Sequence, residues 1–258
     1  LFETDFLAQY LPGALDGVSV RGGVWGLPDN FEDPVMLFYT RALVQEPPGD
    51  TTTWIAQLKT LTDTANGQYG LAFAANESYW LVPWLAGFGG WPMDAEDRPA
   101  LDTAEMIEAL WFIHDLKFAD LVMPDTATYE ESFRLFSEGK AAYVVDGRWN
   151  LDKYRGLGID VGIANLPRVT QTGLLPAPMA TGQYWYLAKG LEGAALDAAL
   201  SFVEYMTSAE AQTAWLVKLG RLPSNREVIA GPQVAQDPTI AALVAQLKGA
   251  RGVPPALE

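Results

Sequence analysis

Between Thr128 and Asn150 the chain reads TYEESFRLFSEGKAAYVVDGRWN, and its hydrophobic period changes across a single glycine. Up to Glu138 the period is helical. Phe133 and Phe136 share one face, and Glu130, Glu131, Arg134 and Glu138 occupy the other. Gly139 closes this helix, as a glycine just past the last periodic residue does. Ala141-Ala142-Tyr143-Val144-Val145 is a short apolar run rich in β-formers, the pattern of a buried strand. Asp146-Gly147-Arg148-Trp149 ends the strand with a turn and an aromatic. Helix, glycine turn, buried strand and polar-aromatic tip make an αβ unit, and ligands of open α/β sheets sit at such tips.

The same alternation runs along the rest of the chain. Strands are expected in the second half of Phe31–Tyr39, over Tyr69–Ala74, Ile159–Ala164 and Gly182–Ala188. Helices are expected over Trp54–Ala65, Tyr79–Gly87, Thr103–Phe118, Leu196–Met206 and Thr239–Leu247, with a further one from Ser208 to Lys218. Thr51, Thr52, Thr53, Asp102 and Ser208 are the residues suited to cap them. Val18–Pro28 alternates around glycines and reads as a hairpin. Trp54, Trp111 and Trp215 stand at helical spacings expected of core residues, and Trp25 is expected in the core or on the hairpin surface. Strands alternating with helices define an α/β class.

Composition narrows the function. With 258 residues the chain is long enough for one large domain or two lobes. No apolar run reaches the roughly 18 residues that span a bilayer, and no charged-then-apolar signal segment opens the chain. The formal net charge of −15 repels phosphate backbones and anionic lipid, so nucleic acid and membrane surfaces are not expected as partners. The absence of cysteine excludes disulfides, thiolate metal sites and cysteine nucleophiles. His114 is the one histidine, which leaves no basis for a histidine zinc site or a Ser-His-Asp triad. It falls within the helical run Ala104–Leu116 and reads as a core or surface residue. No metal or cofactor is therefore expected. Nine tryptophans stand out, since flat aromatic surfaces serve packing or ligand stacking.

Short stretches in fixed order carry a resemblance. They are Gly23-Val-Trp-Gly-Leu-Pro28, Met36-Leu-Phe-Tyr39 with Thr53-Trp54, Gly87-Phe-Gly-Gly90, and Phe136-Ser-Glu-Gly-Lys-Ala-Ala142 leading into Asp146-Gly-Arg-Trp149. Gly182 with Leu187-Ala188, the Thr207-Ser-Ala-Glu-Ala-Gln run and Gly220-Arg-Leu-Pro223 follow. In this order they resemble the extracellular solute-binding proteins of sugar ABC importers, of the maltose-binding type (family 1). The resemblance covers nearly the whole chain. It implies a periplasmic-binding-protein-like (type II) fold of two α/β lobes, with sugar held in the cleft between them. It also implies that the family's opening stretch, of domain size at roughly a hundred residues, and its C-terminal helices have no counterpart here. Under this reading residues 1–30 are a first-lobe remnant, 31–178 the second lobe, 179–224 a return to the first lobe and 225–258 a return to the second. The start at Leu1-Phe2-Glu3 without methionine is expected of a mature or trimmed chain.

The resemblance also proposes site residues. Trp149 corresponds to an aromatic that stacks on sugar rings, and the competing reading is a core tryptophan. Glu77 and Tyr79 match a Glu-x-Tyr position that presents a carboxylate and an aromatic to sugar. A carboxylate is a strong acceptor for hydroxyls, but Glu77 is equally an acid favoured in a helix's first turn. Glu32 matches an acidic hinge position, with a simple turn acid and a hinge residue without ligand contact as the alternatives. Tyr184 and Trp185 lie at a return crossing, where strand alternation sends them to opposite faces. Arg221 lies at the last crossing, or is a solvated turn residue.

The expected function is binding of a carbohydrate, in the first place an oligosaccharide, and its delivery to the membrane permease subunits of an ABC importer, without catalysis. The expected location is periplasmic or extracellular, with any lipid anchor upstream of Leu1. Two alternatives stand beside it. One is a ligand-sensing module feeding a receptor. The other is a glycoside hydrolase built on two carboxylates drawn from Glu32, Glu77, Asp146 and Asp152.

Overall fold

The run Ala141–Val145 forms, in a computed structural model that describes residues 2–96 and 98–253, part of the strand Ala141–Gly147, buried along its whole length. The strand lies inside a four-stranded sheet, between Tyr69–Ala72 and Val35–Thr40, with Val161–Ala164 on the far side of Val35–Thr40. It runs parallel to Tyr69–Ala72 and antiparallel to Val35–Thr40, in a register that sets Val35 opposite Gly147 and Tyr39 opposite Tyr143. Both long strands are buried on both faces, so their sequences read as continuous apolar runs instead of alternating ones. On one face Leu37, Tyr39, Tyr143 and Val145 join Trp54 and Trp84 in the main core. The two indoles stack there at 5.6 Å. On the other face Phe38 meets Tyr154 edge-on at 6.2 Å, and Tyr154 in turn meets Phe136 at 4.8 Å.

Helix ends follow local capping chemistry. The helix Thr51–Leu61 starts on the Asp50 carboxylate, which accepts from the Thr53 N–H. It begins earlier than the threonine run predicts because an ionised acceptor holds an orphan N–H more strongly than a hydroxyl. The helix Ala104–Phe118 is capped by Thr103, one residue past the expected Asp102, and Tyr129–Ser137 by Thr128. Gly139 sits at φ +70° and turns the chain back into the sheet. Everything from Val35 to Pro178 belongs to this one unit.

A second unit joins the described residues up to Pro34 with those from Met179 onward. Its strands are short. Leu27–Pro28 pairs antiparallel with Tyr184–Trp185, and Met179–Ala180 pairs parallel with Arg251–Gly252. Ser19–Val20 and Gly23–Val24 form the expected hairpin, with Trp25 just past it largely exposed. Here the sequence reading needs correction. Residues 31–34 and 225–253 belong to the same unit as residues 2–30 and 179–224, not to that of Val35–Pro178. The Phe31 N–H donates to the Leu222 carbonyl, and the Arg226 N–H to that of Gln9. The Gly252 N–H donates to the Asp16 carboxylate at 3.2 Å. These backbone pairings link residues too far apart in the chain to leave a periodic signal.

At the middle of this unit is Gln212, 1% exposed. Its Nε2 donates to the Ser224 hydroxyl and to the carbonyls of Pro28 and Thr207. Its Oε1 accepts the backbone N–H groups of both Ser224 and Asn225, each at 2.9 Å. One side chain thus ties the first segment, the helix Ala209–Leu219 and the returning chain together.

Candidate functional site

The tip of Ala141–Gly147 carries Trp149, 38% exposed, on a short 3-10 turn, Arg148–Asn150. The indole does not stand alone. Its Nε1 donates to the Tyr129 hydroxyl at 2.9 Å. Trp80 stacks on Tyr129 at 5.6 Å and lies 6.1 Å from Trp149. Tyr79 meets Trp80 edge-on at 5.4 Å, and the Trp80 Nε1 donates to a Glu77 carboxylate oxygen at 3.2 Å. The structure therefore brings together three of the sequence candidates, Trp149, Tyr79 and Glu77. It adds Trp80 and Tyr129, which the sequence reading did not single out. Trp80 was findable, because a donor three residues after Glu77 on a helix start faces that carboxylate. Tyr129 carried no such signal, since its role depends on the strand tip folding back over the first turn of its helix.

Gly147 makes room for this arrangement. A β-carbon placed there would lie 2.1 Å from the Trp149 ring. The backbone at Gly147 is extended, φ −91° and ψ 157°, so alanine is tolerated conformationally and the conflict is with the ring alone. Gly147→Ala is expected to displace the indole, visible as a changed near-ultraviolet circular dichroism spectrum, while the unfolding temperature moves little. An unchanged spectrum would contradict the geometry.

Under the indole lies a buried polar network. The Asp146 carboxylate accepts from the Tyr154 hydroxyl at 2.5 Å and from the Asn150 amide at 2.9 Å, and its other oxygen accepts from the Gly147 N–H. The Asn150 amide also reaches the Tyr129 hydroxyl, so the network fixes the ring to which Trp149 donates. Burial pushes the Asp146 carboxyl up, and the bonds from Tyr154 and Asn150 offset this only in part. Burial, then the neighbouring carboxylate, pushes the Tyr154 hydroxyl up as well. A carboxyl with a raised native pKa contributes most stability below its unfolded pKa of about 4, and the contribution is lost as pH rises through the native value. Asp16 and Asp29 are also raised by burial, so total stability mixes several groups. The stability of the wild type relative to Asp146→Asn isolates Asp146. It is expected to fall as pH rises from about 4 through the raised native value, as measured by urea unfolding at stepped pH. A flat difference would refute the assignment.

The remaining candidates lie in the other unit. Glu32 and Arg221 contact each other at 3.4 Å. Arg221 also reaches Asp29 at 3.3 Å and Gln183 at 2.5 Å and lies over the Trp215 ring, while the Glu32 carboxylate accepts the Leu222 N–H. Tyr184 and Trp185 do point to opposite faces. Trp185 packs against the small core of Tyr10, Leu27 and Val203, with Phe202 edge-on at 5.3 Å. The Tyr184 hydroxyl end lies over Gly17 and Gly182. Each of these four residues has an internal partner that accounts for its position. Of the tryptophans expected in the core, Trp54 is fully buried, Trp215 is half-buried and Trp111 is 55% exposed. His114 is on the surface, between Trp111 and Phe118. Among the described residues, no group of His, Asp and Glu side chains is placed to hold a metal, and no helix is long and apolar enough to cross a membrane.

The α/β fold is that of the type II periplasmic-binding class. The family model described as bacterial extracellular solute-binding protein matches residues 3–242, and the chain belongs to that family. Among curated proteins it is 30% identical to a maltotriose-binding protein of Pyrococcus abyssi over 240 residues, 92% of this chain and 52% of the relative. It is 24% identical to a maltooligosaccharide ABC transporter solute-binding lipoprotein of Streptococcus pneumoniae, over 92% of this chain and 57% of the relative. Among solved structures, the maltose/maltodextrin-binding domain MalE from Bdellovibrio bacteriovorus bound to maltotriose superposes with a TM-score of 0.72. It is 27% identical, over 97% of this chain and 67% of that one. The chain thus spans about half the length of the curated relatives it matches.

Proposed function

We propose that this protein binds a maltooligosaccharide through the surface formed by Trp149, Tyr129 and Tyr79, backed by the buried Trp80 and with Glu77 at its edge. In this reading it hands the sugar to the membrane permease of an ABC importer outside the cytoplasm. The observation that carries the reading is the partly exposed Trp149 ring, tethered through its Nε1 to the Tyr129 hydroxyl. A pyranose presents an apolar C–H face that a fixed aromatic plane covers well, and preorganising that plane lowers the entropy lost on binding. The names of the Pyrococcus and Streptococcus relatives favour glucose oligomers over other sugars, and the pneumococcal one suggests tethering by lipid.

The same reading makes the chain non-catalytic. Of the four candidate carboxylates, Asp146 is buried and engaged by Tyr154 and Asn150, and Glu32 is engaged by Arg221, which leaves Glu77, bonded to Trp80, and the solvated Asp152. Neither Asp146 nor Glu32 is available as a general acid or nucleophile. Glu32, Arg221, Tyr184 and Trp185 act in this proposal as supports of the fold, and Trp149, Tyr79 and Glu77 as sugar contacts.

The test is a titration of intrinsic tryptophan fluorescence and unfolding temperature with maltose, maltotriose and longer maltooligosaccharides, with cellobiose and mannitol as controls. Saturable spectral change and a raised unfolding temperature with the maltooligosaccharides are expected. Equal indifference to all of them would overturn the reading, and steady release of shorter sugars would convert it to an enzyme.

A further inference from the structure

A cleft of about 600 Å³ opens on the same unit, lined in part by the loop that carries Glu77. Its floor is apolar, with Phe73, Leu81 and Ile113 drawn from the main core and its margin. Its rim is polar and comes from two loops and a helix: Asn76, Asp125, Thr126 and Lys117. None of the Asn76, Asp125 and Thr126 side chains is engaged by another described residue. Phe118, 60% exposed, forms one end, and His114 and Trp111 continue from it along the helix at ring separations of 4.9 and 4.8 Å.

Two links join this cleft to the platform. Glu77 lines the cleft and accepts the Trp80 Nε1. Thr128 also lines the cleft and immediately precedes Tyr129. An apolar floor, uncommitted amide, carboxylate and hydroxyl groups at the rim, and exposed rings at one end are what a polyhydroxylated ligand requires. The charges are of both signs, Glu77 and Asp125 against Lys117, which suits a neutral ligand better than an anionic one.

We propose that this cleft is a second saccharide subsite, which receives further glycosyl residues of an oligosaccharide whose first residues lie on the Trp149 platform. The proposal rests on the saccharide reading above and specifies its length preference. Its size is within the roughly 300–1,000 Å³ typical of small-ligand sites. The rim groups would direct hydrogen bonds to hydroxyls, and Phe118 would cover a ring face.

The test compares maltotriose with maltoheptaose by isothermal titration of the whole chain. The wild type is expected to bind maltoheptaose at least tenfold more tightly than maltotriose. Thr126→Trp fills the cleft from an exposed loop, and Asp125→Ala removes a rim acceptor without adding bulk. Both are expected to bring that ratio down several-fold, the tryptophan to near one. A ratio near one in the wild type, or one unchanged in the Asp125→Ala protein, would overturn the subsite while leaving the platform reading intact. If the wild type binds neither sugar, the saccharide reading itself fails and the subsite falls with it. A Phe118→Ala protein that keeps the ratio but loses uptake in cells would reassign this face to contact with a protein, and the proposal would again be overturned.

Discussion

Trp149→Ala is expected to weaken binding of every maltooligosaccharide by about 30- to 100-fold, equivalent to about 2–3 kcal/mol. The size of the effect follows from the surroundings of the ring. Trp149 is 38% exposed, so its truncation removes contact area for ligand while opening little of the core. It also strips the Tyr129 hydroxyl of one of its two donors, the other being the Asn150 amide. Trp149→Phe divides the two contributions in part, since it keeps a smaller flat ring and loses the indole donor. Its affinity should fall between those of wild type and alanine. Calorimetric titration measures all three, and circular dichroism verifies that each is folded. Alanine binding as well as wild type would remove Trp149 from the platform.

Gln212→Leu should lower the stability of its unit by about 4 kcal/mol, because it leaves buried donors without acceptors at about 1–3 kcal/mol each. Two of those are the backbone N–H groups of Ser224 and Asn225, both of which depend on Oε1. Two carbonyls, of Pro28 and Thr207, and the Ser224 hydroxyl lose the Nε2 donor as well. Leucine fills nearly the same volume, so the loss reports hydrogen bonding and not a cavity. Gln212→Glu is the informative control. It keeps the acceptor that holds both N–H groups and loses the donor, and should be less damaging when protonated at low pH. Urea unfolding followed by far-ultraviolet circular dichroism measures both. A loss under about 1 kcal/mol for the leucine protein would show that water replaces the side chain.

The strand at Ala141–Gly147, its capping helix and the glycine between them were legible because each rests on local rules of period, capping and backbone conformation. The exposure of Trp149 was legible because a strand tip ending in Asp-Gly projects its next aromatic outward. Trp111 was misread, for a reason specific to its helix. Ala104–Phe118 is apolar on both faces: Met106, Ala109, Phe112, Ile113 and Leu116 are buried, and Ile107, Leu110, Trp111 and Phe118 are exposed. Periodicity cannot say which of two apolar stripes faces inward. The placement of residues 225–253 was out of reach as well, because it is decided by backbone pairing with Gln9, Tyr10 and Ala180. Arg221 reads in sequence as an isolated cation after a glycine, and the three acceptors around it come from segments that only the fold assembles.

The bond from Trp149 to Tyr129 has one more consequence. An indole has a single N–H, and here it points inward, toward a protein hydroxyl. What remains for a ligand is the ring face, which registers flatness and apolarity but not the orientation of any hydroxyl. Under the proposed saccharide reading, stereochemical discrimination between one hexose and its epimer therefore falls to other groups, and the platform itself is permissive. Under the same reading, a change of sugar preference can leave Trp149 untouched and proceed through groups beside it such as Glu77.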